Sequence, residues 1–406
     1  MVRRSKWSPM RSIGSRGAKA DLSAGTTSMS VRLTVDAHRG EDGRGVRQLP
    51  LSLRLKRLLV LVSTASAVLM MSAVGRGQSP PTVTATRLPQ NPLITVSSSK
   101  TLGDNVNGPT VIRVPSWVQR PLGRYYMYFA NHMGTFIRLA YADAVTGPWK
   151  VYEPGVLDVR DTAFYRAQPD PVETLDDFYT HVASPEILLE ANPPRMVMWT
   201  HGWWTRGEQW PAKPSEARAW AREHGYGQYT QAAVSTDGLH FTVQPAITRT
   251  SYVRVFMRGA SYYGVSRLGL VSKASDPLVE FAAGPNLFVN TPYAGRVRHV
   301  ALVLRGDSMF VFFTAIGDAP EHVVMARVDL SGDWTMWRAG GFVDVLAPET
   351  AYECVSLPNA PSESGDISKP VKQIRDPFVF EEDGRAYLFY STCGEQGIAA
   401  AELRLP

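Results

Sequence analysis

Five times between residues 107 and 406 the chain runs through the same order of segments, and few folds admit that much internal repetition. Each unit has a strand, a tight turn, an aromatic strand, a small-residue strand, and a turn carrying Trp or Phe before a last strand. The units open at Asn107, His181, Val253, Arg296 and Ile374, and "TGPW", "DGLHF", "VEF" and "SGDWTMW" hold equivalent places in the first four. A unit of roughly 45–75 residues cannot bury both faces of its own small sheet, so neighbours must stack on one another. The expectation is an all-β fold, a five-bladed β-propeller of four-stranded blades.

The last unit is the clearest. In IRDPFVFEEDGRAYLFYSTCGE, residues 374–395, Asp383-Gly384 sits between two aromatic, alternating runs. Asp-Gly in that setting is a strong hairpin signal, because glycine takes positive φ without strain. Proline in Arg375-Asp376-Pro377 removes a backbone donor, so the strand starts there and presents Asp376 at its mouth. The 10 Trp, 16 Tyr and 15 Phe are expected mostly between blades, where each sheet face is covered. One departure is a long insertion after Trp199, rich in Trp203, Trp204, Trp210 and Trp220. Within it residues 214–224, ended by Gly225, read as a short helix in the second blade.

Charge divides the chain. Residues 1–77 carry 14 of the 43 Lys and Arg but 4 of the 37 Asp and Glu, leaving the remainder at net −4. The basic balance therefore belongs to the leader and gives no support to nucleic acid as a partner. Residues 58–74 are uncharged, follow Lys56-Arg57 and lead into small residues, the pattern of a secretory signal peptide; much of the run is Ser, Thr and Ala and is short for a stable span. The divisions expected are a basic extension at 1–52, a signal peptide at 53–77, a Pro-rich linker at 78–92 and the propeller at 93–406. The protein is then secreted or periplasmic. Cys354 and Cys393 are the two cysteines, an even count that permits a disulfide in an exported chain, while zinc needs more ligands than they supply. No metal or other cofactor is called for.

First strands line the channel of a propeller, so polar residues at their starts converge on one pocket. Those starts hold Asn107, His181 with Glu186, Arg254 and Arg258, Arg298 with His299, and Arg375 with Asp376; His201 follows in the second unit.

Residues 90–406 resemble the five-bladed β-propeller glycosidases of families 32, 43, 62 and 68. Ser184-Pro185-Glu186-Ile187 resembles a blade opening of family 43, and Arg375-Asp376-Pro377 resembles the Asp-bearing blade start found through the superfamily. Tyr352-Glu353-Cys354 is similar to the Glu-Cys pair that carries the acid in family 32, although here it precedes Arg-Asp-Pro. The first unit has Asn107-Gly108-Pro109 where catalytic members carry Asp-Pro. The resemblance implies a glycoside hydrolase acting on a carbohydrate through two carboxyls, one ionised and one protonated. Asp376 beside Arg375 suits the ionised role, Glu353 the donor, and Glu186 is the third candidate. Asn107, His181, His201, Arg254, Arg298, His299 and Arg375 are the expected substrate contacts. A cationic channel would suit an anionic glycan. Two other readings stand beside hydrolysis, a glycan-binding propeller without catalysis and an inverting glycoside phosphorylase.

Overall fold

The computed structural model describes residues 83–165, 180–205, 223 and 225–405. Twenty-one strands fill five sheets. Two short strands, β1 (Thr84–Arg87) and β2 (Ile94–Thr95), come first. Blade 1 is β3 (Asn107–Arg113), β4 (Tyr125–Ala130), β5 (Phe136–Ala142) and β6 (Lys150–Asp158). Blade 2 is β7 (Ala183–Ala191), β8 (Pro194–Trp204), β9 (Gly227–Ser235) and β10 (Thr242–Thr248). Blade 3 is β11 (Arg254–Arg258), β12 (Ser261–Val265), β13 (Leu270–Ala274) and β14 (Ala282–Asn286). Blade 4 is β15 (Val297–Arg305), β16 (Ser308–Ala315), β17 (Val323–Asp329) and β18 (Ala339–Leu346). Blade 5 takes β19 (Ile374–Glu382), β20 (Arg385–Thr392) and β21 (Gly397–Arg404) from the end of the chain.

Every blade is an antiparallel meander, and the five-bladed propeller expected from the repeats is the fold. The fourth strand of blade 5 is β1, paired along β21 from Thr84↔Arg404 to Arg87↔Ala401. This corrects the linker expected at 78–92, since Thr84–Arg87 is part of the last sheet. The helix expected at 214–224 lies outside the described residues except for Glu223, as do the leader and the signal peptide. Apart from Glu223, which is α-helical, helical turns among the described residues occur only as short 3-10 segments, and no helix is long and apolar enough to cross a membrane. Trp199, Trp203 and Trp204 belong to β8 itself rather than to a loop.

Aromatic and β-branched residues alternate on these strands because both faces of each sheet are covered by a neighbouring blade. The buried apolar residues form five clusters, one for each junction between adjacent blades: Tyr126, Tyr128 and Met198 between blades 1 and 2, Phe312 and Leu388 between blades 4 and 5. Cys354 and Cys393 are joined in a disulfide, with Cα atoms 5.0 Å apart.

Candidate active site

The first strands of blades 1, 2, 4 and 5 are each bulged near their start, between Asn107 and Thr110, Ala183 and Glu186, Val297 and Val300, and Arg375 and Phe378. A bulge sets two residues against one and re-aims a side chain that regular pairing would send to a sheet face. Asp376 takes φ 53° there, Ser184 takes φ 47°, and Tyr252, just ahead of β11, takes φ 55°. Gly108 holds the matching place in blade 1, with φ 59°, and a Cβ on it would stand 3.2 Å from Ser184 Cα. Glycine is required where these two bulges approach, which accounts for Asn-Gly-Pro in the first unit.

The bulges set up two levels. The lower one is a plug made by Arg254. Its Nε donates to Val300 O at 3.0 Å, its Nη2 to Pro109 O at 3.2 Å and Pro377 O at 3.3 Å, and its Nη1 to Pro185 O at 3.4 Å. One guanidinium from blade 3 thus reaches carbonyls of all four other blades. Nη1 also meets Glu186 Oε2 at 2.7 Å and Thr110 Oγ1 at 2.6 Å. Burial raises the Glu186 carboxyl above its ordinary range, against the pull of Arg254. Neither the expected substrate contact Arg254 nor the expected catalytic Glu186 is displayed toward a ligand. Each satisfies the other beneath the site, as buried charges must. Arg258, at the far end of β11, bonds to Asp307 of the next blade.

Above the plug lies a polar hub. His299 Nδ1 is bonded to Asp376 Oδ1, and Ser391 Oγ donates to Asp376 Oδ2 at 3.0 Å. The His299 ring lies 4.0 Å from Tyr252, and Tyr252 lies 3.9 Å from His201, centroid to centroid. Tyr252 Oη reaches His132 Nε2 at 3.4 Å, and His181 stands 5.7 Å from His201, centroid to centroid. Asn107 Nδ2 donates to Glu395 Oε2 at 3.0 Å, and Arg375 Nη1 donates to Glu395 Oε1 at 3.1 Å. Arg298 Nε donates to Glu321 Oε1 at 2.8 Å, and Glu321 also faces Arg375 Nε at 3.4 Å. Four of the chain's eight histidines meet here, and all five blades contribute.

The protonation pattern follows from burial against charge. Burial works to raise the Asp376 carboxyl, but His299, Arg298 and Arg375 override it and hold the group well below the usual carboxylate range. Glu395 behaves alike: burial is outweighed by His132 and Arg375, and its carboxyl is lowered. Burial lowers His299 even with Asp376 beside it, and lowers His201 further with His181 and His299 adding to the effect. Burial pushes Tyr252 up to about 12. At neutral pH Asp376 and Glu395 are ionised, His299 and His201 are neutral, and Tyr252 keeps its phenolic proton. Asn107 Oδ1 and both ring nitrogens of His201 are buried with no hydrogen-bond partner among the described residues.

Glu353, the expected proton donor, is placed apart from the hub. Its Oε1 accepts from Arg87 Nε at 2.8 Å and Tyr390 Oη at 2.9 Å, and its Oε2 accepts from the Glu349 and Thr350 amides at 2.8 and 3.0 Å. Burial would raise this carboxyl, but those donors lower it. Successive strand residues point to opposite faces, so Tyr390 carries Glu353 on one side of β20 while Ser391 holds Asp376 on the other.

Sequence reasoning missed His132, Tyr252, Glu321 and Glu395. The signal available for two of them was a polar residue following an aromatic second strand, "FANH" ending in His132 and "YSTCGE" ending in Glu395. Among the described residues no group of three or more His, Cys, Asp or Glu is set to hold a metal ion.

Over 341 residues the chain is 32% identical to the uncharacterised protein R118 of Acanthamoeba polyphaga mimivirus, covering 78% of this chain and 89% of that protein. The chain belongs to the R118 family. No family model matches it. Solved structures similar to this R118-family chain include family-43 glycoside hydrolases. They also include a glycosyl hydrolase from Bacteroides ovatus, with TM-score 0.48 and 10% identity over 78% of this chain and 92% of that one. Another is a family-43 β-xylosidase/α-arabinofuranosidase from a compost microbial metagenome in complex with xylotriose, with TM-score 0.47 and 12% identity over 79% and 94%. Likeness at this level concerns the path of the chain and assigns no residue a role.

Proposed function

We propose that this R118-family propeller hydrolyses a neutral glycan at the hub, with His299 as general base and Asp376 as the group that orients it. The observation carrying this reading is the buried Asp376–His299 pair. An ionised carboxylate on Nδ1 keeps the proton on that nitrogen and leaves Nε2 with the lone pair that deprotonates water. Tyr252, protonated and with its ring tilted 38° to that of His299, serves the leaving-group oxygen. Asn107 Oδ1 and the His201 ring are orphaned polar groups that a sugar's hydroxyls would satisfy.

A neutral substrate fits better than the anionic one. Arg254 is matched by Glu186, Arg298 by Glu321, and Arg375 by Glu395 and Glu321, so these three guanidinia offer no free fork to a uronate, sulfate or phosphate. Export of the protein accords with the Cys354–Cys393 bond, which suits an oxidising compartment. N-terminal sequencing of the mature protein tests it, and a start upstream of residue 58 overturns it.

The test of function is a panel of neutral and anionic oligosaccharides, with and without phosphate, using wild type, Asp376→Asn and His299→Gln. The expected result is hydrolysis of a neutral glycan without phosphate, lowered by a factor on the order of 10³ or more in Asp376→Asn, which leaves the wrong tautomer. Unchanged turnover in Asp376→Asn would place the chemistry elsewhere. Glycan affinity without product would favour a binding propeller, a reading helped by the fact that the Asp376 and Glu395 carboxyls are lowered rather than raised.

A further inference from the structure

Beside the hub, where β10 meets the β13–β14 hairpin, lies a cleft of about 380 Å³. Its size is at the lower end of the roughly 300–1,000 Å³ of ligand pockets. Two hydroxyls in its lining, Thr250 Oγ1 and Ser272 Oγ, are buried with no hydrogen-bond partner among the described residues. Ser272 is 6% exposed. It stands directly across from Gly264, where a Cβ would come within 2.8 Å of the hydroxyl, so only glycine leaves room beside that oxygen. Phe281, backed edge-on by Trp199 at 6.3 Å, supplies an aromatic wall. Arg249 and Glu280 are exposed in the same lining and cancel in charge.

The cleft is coupled to the hub through short links. Thr230 Oγ1 donates to Thr250 O at 2.8 Å, and Thr230 is paired directly with His201. Thr250 is itself two residues before Tyr252. Buried hydroxyls without partners are destabilising in an isolated protein. Two of them beside an aromatic wall, with balanced charge, have the chemistry of a site for a neutral polyhydroxylated ring.

We propose that this cleft is a saccharide subsite, holding a sugar unit of the same chain that is cut at the hub. It rests on the reading above for the choice of ligand, not for the existence of the site. The experiment uses the Asp376→Asn protein, in which turnover is expected to be too slow to deplete the ligand, titrated calorimetrically with xylotriose, cellotriose and maltotriose. The further variants are Thr250→Val/Ser272→Ala, which deletes the two hydroxyls, and Ala283→Trp. Ala283 lies opposite Ser272, and side chains at paired positions share a face, so the indole fills the cleft.

At least one trisaccharide is expected to bind. The double variant should weaken it by about tenfold, the worth of two neutral hydrogen bonds, while its thermal midpoint stays level or rises. Ala283→Trp should abolish the cleft's contribution. In the catalytically intact background both changes should raise KM for the trisaccharide and leave kcat on an aryl monosaccharide unchanged. Affinity unchanged in Ala283→Trp, a falling midpoint in the double variant, or no binding by any trisaccharide would overturn the subsite. A protein that binds through the cleft yet shows no turnover would instead sink the hydrolase reading and leave the subsite standing.

Discussion

Replacing Arg254 by Met tests whether the plug below the hub holds the ring together. The change keeps most of the side-chain volume but removes the guanidinium that bonds to Pro109, Pro185, Val300 and Pro377 carbonyls and to Glu186. Removing one partner of a buried ion pair costs about 3–5 kcal/mol, because the other charge is stranded. The four carbonyls lose a donor as well, so the upper end of that range is expected. With about 2 °C of midpoint per kcal/mol for a domain of this size, the melting temperature should fall by roughly 6–10 °C. Urea denaturation gives the same quantity if the m-value is unchanged. Glu186→Gln in the Arg254→Met background removes the stranded carboxylate, so the double variant should lose about 2 kcal/mol less than the two single losses added. A loss under about 1 kcal/mol in Arg254→Met, or strict additivity of the pair, would refute the plug.

Glu353→Gln should lower stability by about 1–2 kcal/mol in denaturant titration, since it weakens charge-assisted hydrogen bonds from half-buried Arg87 and from Tyr390, while kcat stays at the wild-type value; a large fall in kcat would restore Glu353 to the mechanism. Cys354→Ser removes a cross-link between residues 39 apart and should cost up to about 4 kcal/mol in the loop-entropy model, an effect that reductant on wild type should reproduce. Acid should weaken both activity and fold, and the sign is fixed by which state binds protons. His201 and His299 are lowered from 6.5, so the unfolded chain takes up more protons below that value and stability falls as pH drops from there. Asp376 and Glu395 are lowered carboxyls, and their contribution, complete above about 4.5, is lost at lower pH. A kcat/KM profile that rose on acidification below 6.5 would exclude neutral His299 as the base.

The repeat count, the blade boundaries and the convergence of first-strand starts could be read from residues alone, because periodicity of turns and aromatic strands survives without coordinates. Asp376, His299, Asn107, Arg375, His181 and His201 were legible as polar interruptions of apolar strands. Which of them faces a ligand was not, since pairing across blades decides it. Arg254 and Glu186 come from neighbouring blades and cancel each other, and nothing local to either residue says so. Glu353 was misread for a related reason: its sequence setting gives no hint that Tyr390 and Ser391 send two carboxylates to opposite faces of one strand. Thr84–Arg87 was hidden by brevity and by the prolines around it, since its partner is the far end of the chain.

That pairing of β1 with β21 has a consequence during synthesis. The first strand of the domain to leave the ribosome is the last to find its place, and it waits as an unpaired edge until the final strand is made. Arg87 on β1, Glu353 and the Cys354–Cys393 bond all lie along this one seam. Four blades can stack in order as they emerge, whereas the fifth must gather both ends of the chain. Lesions at the seam should therefore show first as poor yield and edge-to-edge association of nascent chains, before any defect in the finished ring is measurable.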